Sequence, residues 1–107
     1  MPDFTKSERQ ALRELAGEVY EAEAALLLED LAASFAKWRA DELLPSELLE
    51  AIHDFHQNQS RQLWSMYQGL RETDIVARGL TRGLLAPTKI PAPLREKLKP
   101  FIEAHRA

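Results

Sequence analysis

Residues 6–39 read KSERQALRELAGEVYEAEAALLLEDLAASFAKWR, and this stretch decides the fold. It contains no proline and is dominated by Ala, Leu, Glu, Lys and Arg, which lose little conformational entropy in a helix. Thr5 stands before it with Glu8 three residues later, the spacing of a capping box, in which each side chain accepts the other's free backbone N–H. The segment therefore predicts one long helix over residues 6–39.

The apolar residues of this helix form two stripes. One stripe holds Leu12, Leu15, Val19, Ala22 and Leu26, and the other holds Tyr20, Ala24, Leu27, Leu31, Phe35 and Trp38. A helix with one buried face needs only one stripe, so two stripes predict contacts on two sides. Such a helix is ~50 Å long, whereas a compact chain of this length is roughly 35 Å across. We therefore expect a second helix to cover one stripe, and the shorter helices or a second copy of the chain to cover the other. Either Gly17 interrupts the long helix, or its overhang packs on another protomer, which predicts a homodimer.

A second helix is predicted over residues 45–68. Pro45 suits the first turn of a helix, where its missing N–H would have no partner in any case. The apolar face repeats at helical spacing from residue 48 to residue 67. It contains Leu48, Leu49, Ile52, Phe55, His56, Leu63, Met66 and Tyr67. A break at residues 58–60 is the alternative.

Two shorter helices complete the prediction. One covers residues 74–85, with Thr73 or Asp74 as its cap, and the other covers residues 93–105, with Pro100 inside it. Residues 87–93 contain three prolines and predict an extended connection. Because no segment alternates with the two-residue period of a strand, the fold class is all-α. The predicted architecture is a single domain, a long antiparallel helical hairpin followed by two shorter C-terminal helices.

Composition excludes several classes of function. The chain has 107 residues and no cysteine, which excludes a disulfide scaffold, a thiol nucleophile and a zinc finger. Its 4 glycines form no phosphate-binding loop. The longest apolar run, residues 24–28, is far shorter than a membrane span, and the first residues do not resemble a signal peptide. We therefore expect a cytoplasmic protein with no membrane partner.

The net charge of -3 conceals an uneven distribution. Residues 1–58 contain 5 Lys and Arg against 13 Asp and Glu, whereas residues 59–107 contain 9 against 4. The halves therefore carry net charges of −8 and +5. Either they neutralise each other inside the fold, or one of them faces a charged partner.

One candidate site is a metal site formed by Glu50, His53 and His56. Glu-x-x-His on a helix is the ligand spacing of di-iron carboxylate bundles. This chain lacks the second Glu-x-x-His that those bundles require, so metal binding would need ligands shared across a dimer. The alternative is structural, with His56 partly buried and hydrogen-bonded and His53 on the surface, and no cofactor.

A second candidate site is a polar notch in the apolar face of the second helix. His56, Gln59 and Ser60 interrupt that face, and Arg61, Trp64 and Tyr67 follow close by. Buried polar groups need partners, so the notch predicts either a buried hydrogen-bond network or a site for a ligand or partner protein. His56 and Ser60 lack a clearly placed orienting acid and an oxyanion donor, which argues against a hydrolase.

A third candidate is a basic face made of Arg71, Arg78 and Arg82. A helix-turn-helix over residues 61–84 fits poorly, since Gln68 and Arg78 stand where that motif needs apolar residues. The acidic total charge also argues against nucleic-acid binding. The alternative is a solvated face that complements the acidic first helix.

The motifs I-H-x-F-H at residues 52–56 and S-R-x-L-aromatic at residues 60–64 follow a long helix. In this the chain resembles a family of small bacterial helical proteins of similar length. The resemblance implies a bacterial cytosolic protein and no particular activity. Since no catalytic set is complete, the sequence predicts a non-enzymatic interaction or regulatory protein of the antitoxin type. The alternatives are a metal- or small-ligand-binding protein and, third, a nucleic-acid-binding regulator.

Overall fold

The computed structural model describes residues 3–106, and these residues form helices and no strand. The helices are α1 (Lys6–Arg39), α2 (Pro45–Asp54), α3 (Arg61–Gln68), α4 (Glu72–Thr81) and α5 (Ala92–Arg106). A π-helical segment (Phe55–Ser60) joins α2 to α3, and a 3₁₀ turn (Pro87–Lys89) precedes α5. The all-α prediction is therefore confirmed.

The described residues divide into two compact units, although the sequence suggested one domain. Residues 23–69 form one, which we call the hairpin unit. The other, the terminal unit, combines residues up to 22 with residues from 70 onward. Helix α1 contributes its first half to the terminal unit and its second half to the hairpin unit.

The terminal unit contains most of the buried apolar side chains. They come from the start of α1, from α4 and α5, and from the connection between those two helices; they are Leu12, Leu15, Ala16, Val19, Ile75, Val76, Ala77, Leu85, Ile90, Leu94, Leu98 and Phe101. Helices α1 and α4 approach closely at Gly79. The distance is so short that a Cβ added to this residue would overlap Val19 Cγ2. Glycine at this position is therefore what allows the two backbones to come together.

The hairpin unit pairs the second half of α1 with the helix over residues 45–68. Tyr67 Oη donates a hydrogen bond to Glu23 Oε1 (2.6 Å), which ties the last turn of α3 to the first residue of the unit. The buried apolar residues of this unit are Leu48, Leu63 and Tyr67. The predicted antiparallel hairpin is therefore present.

The two predicted stripes of α1 serve the two units in turn. Leu12, Leu15 and Val19 of the first stripe are buried in the terminal unit, whereas Leu26 at the end of that stripe lies in the hairpin unit and is exposed, contrary to the prediction. Residues from Tyr20 to Leu31 of the second stripe are half-buried, whereas Phe35 and Trp38 at its end are exposed. The buried part of the first stripe therefore lies before the half-buried part of the second along α1, and the two are not buried at the same turns of the helix.

The π segment corrects the predicted face of the second helix. Leu49, His56 and Met66 were expected on the buried face, and all three are exposed. A π turn takes up one residue more than an α turn, so every position beyond it moves by one residue around the helix. Leu63 and Tyr67 are buried with Leu48, as predicted, and the shift explains why Met66, which an unbroken α-helix would place at the angle of Leu48, is exposed. Leu49 and His56 lie before the shift takes effect, on the edge of the predicted face.

Of the helix caps predicted from the sequence, one is confirmed and one is wrong. The capping box at α1 is confirmed, with Glu8 N donating to Thr5 Oγ1 (3.1 Å) and Thr5 N donating to Glu8 Oε1 (2.8 Å). The cap predicted for α4 at Thr73 or Asp74 is wrong: Arg71 is the N-cap and Thr73 is buried within the helix. This helix ends at Thr81, before the predicted residue 85, because Gly83 adopts a left-handed conformation (φ 73°).

Candidate protein-binding surface

The predicted metal ligands lie on the outside of the hairpin unit. Glu50 and His53 belong to α2 and His56 to the π segment, and all three side chains are exposed. His56 was predicted to be partly buried, but it lies on the exposed side of the helix with Leu49, away from the buried Leu48. Within residues 3–106, no three His, Asp or Glu side chains are grouped so that they could hold a metal ion. The metal hypothesis would thus need ligands from a second chain.

The residues of the predicted polar notch separate into an inner and an outer group. The inner group consists of Tyr67, which is buried and donates a hydrogen bond from its hydroxyl to Glu23, and Ser60, which is half-buried. The outer group is exposed and consists of His56, Gln59, Arg61 and Trp64. Asn58 Nδ2 donates to Asp54 Oδ1 (2.6 Å) and Arg61 Nη1 to Gln57 Oε1 (3.3 Å), both along the helix surface. The six residues therefore form no common buried network.

The predicted basic face begins outside its helix. Arg71 is the extended residue before α4, and its Nε donates to Asp74 Oδ2 (3.1 Å). Its guanidinium carbon lies 5.8 Å from the ring centre of Phe101, within the range of a cation–π interaction. Arg78 is half-buried and Arg82 is exposed. Arg71 thus has a structural role within the terminal unit.

Sequence reasoning missed a cavity of about 280 Å³ in the terminal unit that three arginines line. Arg9 and Arg13 from α1 meet Arg71 there, beside Phe4 and Phe101. Arg9 Nη1 donates to the Phe4 carbonyl (2.8 Å), and Arg13 Nη2 donates to Gln10 Oε1 (2.7 Å). About sixty residues separate Arg13 from Arg71, so spacing along the chain gives no signal for this cluster.

Exposed large apolar side chains are concentrated in the hairpin unit. Among the described residues, all those that are prominently exposed lie between positions 23 and 69, and they are Leu26, Leu28, Phe35, Trp38, Leu44, Leu49, Trp64 and Met66. Leu44, Leu49 and Trp64 are 63%, 67% and 58% exposed. Exposed apolar area that is concentrated in one part of a chain is typical of an interaction surface.

Leu49 and Trp64 lie on the same side of the second helix. Each directly follows a buried leucine, Leu48 or Leu63, and those two leucines face inward together. His53 lies one turn after Leu49 and Arg61 one turn before Trp64, so both border the same side. We call Leu49, His53, Arg61 and Trp64 the partner surface.

The hairpin unit is also the acidic part of the chain. Residues 23–69 contain 3 Lys and Arg against 8 Asp and Glu, a net charge of −5, which leaves +2 for the rest of the chain. In the terminal unit, acidic α1 residues are paired with basic residues from later in the chain. Lys97 Nζ lies 2.6 Å from Glu8 Oε1, and Lys89 Nζ lies 3.2 Å from Glu18 Oε1. These two ion pairs agree with the first of the two alternatives, neutralisation between the acidic and basic halves, within the terminal unit, whereas residues 23–69 retain a net charge of −5.

A shallow groove of about 460 Å³ runs along the second half of α1. It is lined by Leu28, Leu31, Ala32, Phe35, Ala36 and Arg39. Every lining residue comes from this one helix, so the groove is an unpartnered helix face within the hairpin unit.

None of the helices formed by residues 3–106 combines the length and apolar character needed to cross a membrane. No family model matches the chain, and no curated protein or solved structure matches it either.

Proposed function

We propose that this chain is a small cytoplasmic interaction protein without catalytic activity, which regulates a partner protein as antitoxin-type proteins do. The observation that carries the proposal is the segregation of large exposed apolar side chains into residues 23–69. Leaving these side chains in water costs free energy that binding a partner would recover.

The partner surface has the composition of a protein-binding site. Trp and Arg are over-represented among residues that dominate binding energy, and here Trp64 and Arg61 stand one turn apart. The surrounding unit carries a net charge of −5, which favours a partner with basic residues at the edge of an apolar patch. Pairing with a second copy of the chain is part of the same proposal.

The test compares proteins captured from extracts of the native host. The baits are the wild-type chain, the Leu49→Ser/Trp64→Ser variant and the Leu26→Ser variant, each verified as helical by circular dichroism. Leu26 is a matched control, since it is as exposed as Trp64 but lies on α1. We expect a basic protein on the wild-type and Leu26→Ser baits and at least a tenfold reduction on the double variant, and weaker capture at high salt because charge attraction is screened. Identical capture by all three baits, or no specific capture, would overturn the proposal.

The two alternative functions have direct tests of their own. Metal binding across a dimer predicts stoichiometric metal in untagged protein and its loss in His56→Ala. Nucleic-acid binding through Arg71, Arg78 and Arg82 predicts a gel shift that is strongest at low salt, because contacts with phosphates dominate such binding.

A further inference from the structure

A regular spacing runs along α1 from residue 21 to residue 39. The positions are 21, 25, 28, 32, 35 and 39, alternating steps of four and three as in the seam of a coiled coil. Eighteen residues make five full turns, so the first and last positions fall at the same angle around the helix. The seam contains Glu21, Ala25, Leu28, Ala32, Phe35 and Arg39.

The fold leaves this seam open to solvent. Ala25, Leu28, Ala32, Phe35 and Arg39 are all exposed in the hairpin unit, and most of them line the groove on α1. Leu28 is 55% exposed, whereas Leu31, at the border of the same groove, is half-buried. The seam is therefore distinct from the face that α1 uses within its own unit.

The residue sizes and charges along the seam are complementary to those of a second seam that runs in the opposite direction. If two copies pair antiparallel so that position numbers sum to sixty, Ala25 lies opposite Phe35 and Leu28 lies opposite Ala32. Each large side chain then meets a small one, and Glu21 at one end meets Arg39 at the other. A parallel pair would instead put phenylalanine on phenylalanine and arginine on arginine.

We propose that the α1 seam binds a second copy of this chain as an antiparallel helix pair. The inference rests on the homodimer part of the proposed function and specifies its surface and register. Alanines at the centre of the seam permit close approach of the two helices. The pair would be ~27 Å long, which is short for a helix pair, so we expect a dimer that dissociates on dilution.

Charge reversal tests the proposed contact. We expect the wild-type chain to dimerise in sedimentation equilibrium, and Arg39→Glu to raise the dissociation constant about tenfold, since two ion pairs become two repulsive contacts. Lys37→Glu makes the same charge change in the same turn on the opposite side of the helix and should leave dimerisation unchanged. Glu21→Arg/Arg39→Glu should restore it, because the pair is re-formed with its charges exchanged.

The possible outcomes distinguish failure of the homodimer hypothesis from failure of the seam as its contact surface. A monomeric wild-type chain at all concentrations would overturn both the homodimer and the seam. A dimer that Arg39→Glu and Lys37→Glu weaken equally, or that the double reversal fails to restore, would overturn the seam alone.

Cysteine cross-linking tests the register, because the natural chain has no cysteine. Leu28→Cys protein mixed with Ala32→Cys protein should form a mixed disulfide under mild oxidation, whereas Leu26→Cys, on another side of α1, should cross-link with neither. Self-cross-linking of Leu28→Cys that outpaces the mixed product would indicate a parallel pair and overturn the proposed register.

Discussion

The two units of this chain differ in how far they bury their apolar residues. Among the described residues, the side chains that are almost completely buried are Val19, Val76, Ile90, Leu94 and Leu98, and all belong to the terminal unit. The hairpin unit buries few apolar side chains and exposes many, among them two tryptophans. The contrast indicates that the terminal unit supplies stability from its own core, while the hairpin unit leaves apolar surface exposed, which is the surface that the proposed function uses.

Matched leucine truncations should break this contrast most strongly. Leu98→Ala removes a side chain that is 0% exposed and should cost about 2–5 kcal/mol, since it loses burial and leaves a cavity. Leu49→Ala removes one that is 67% exposed and should change stability by less than about 0.5 kcal/mol. Urea unfolding of both variants would measure the difference. Equal losses would mean that the hairpin unit has a core of comparable importance.

Two glycines of the terminal unit offer a second matched pair. Gly79→Ala should cost about 1–3 kcal/mol, because the new methyl group overlaps Val19 against α4. Gly17→Ala should instead stabilise the chain by about 0.5–1 kcal/mol, since it lies inside α1 with nothing near its Cβ position. Thermal unfolding of the two variants checks the signs. Adding Val19→Ala to Gly79→Ala should recover part of the loss if the overlap is its cause.

Single-residue deletions test the register of the hairpin unit. Deleting Asn58 lets the π segment close into ordinary α turns while Leu48, Leu63 and Tyr67 keep their common side, so stability should change by less than about 1 kcal/mol. Deleting Ser65 rotates either Leu63 or Tyr67 out of the buried face and should cost about 2 kcal/mol. Chemical denaturation of the deletion variants measures both. A larger loss for the Asn58 deletion would contradict this account of the π segment.

Among residues 3–106, a left-handed residue follows one helix in each unit, and these two helix ends should respond oppositely to substitution. Asp41 (φ 61°) follows α1, and Glu42 N donates to the Lys37 carbonyl (2.8 Å). Gly83 (φ 73°) follows α4, and Leu84 N donates to the Gly79 carbonyl (2.8 Å) in the same pattern. Asp41→Gly should therefore stabilise, and Gly83→Ala destabilise, each by about 0.5–1 kcal/mol. Melting temperatures that move in the same direction would contradict the pattern.

The smallest expected effect is a pH dependence of the terminal unit. The hydrogen bond from Lys97, and then that from the Thr5 backbone, lower the pKa of Glu8 below its ordinary value of 4.5. A lowered folded-state pKa contributes stability that is present above the unfolded pKa and is lost as pH falls through the folded value. Glu8→Gln should therefore flatten the acid side of a melting-temperature-against-pH curve. Glu103→Gln, at an exposed position in α5, is the control and should leave the curve unchanged.

Local signals in the sequence predicted the helical framework well. The capping box of Thr5 and Glu8, the absence of proline up to Arg39, and Pro45 are all short-range features, and α1 and α2 begin where they indicate. The end of α4 was misplaced because the apolar pattern continues through Leu84 and Leu85, whereas the left-handed Gly83 stops the helix. Helical propensity therefore fixes where helices occur more reliably than apolar spacing fixes where they stop.

The candidate site was harder to predict because its geometry depends on one wide turn. A constant angle per residue places Met66 at the same angle as the buried Leu48, and only the π segment brings Tyr67 there in its place. Nothing in FHQNQS marks a π turn by composition alone. The partner of Tyr67 was missed for a different reason, since Glu23 is 44 positions away and only the closed hairpin brings them together.

The π segment also bears on how the sequence should be aligned. The π segment between Phe55 and Ser60 contains one residue more than an α-helix would need to connect the inner face of α2 to that of α3. A homologous protein one residue shorter could keep the same inner face with an unbroken α-helix, and its gap would then belong opposite this segment and not in a loop. An alignment that placed the gap at the turn after residue 39 would instead shift α2 by one residue and set its inner positions against outer ones, while α3 stayed in register.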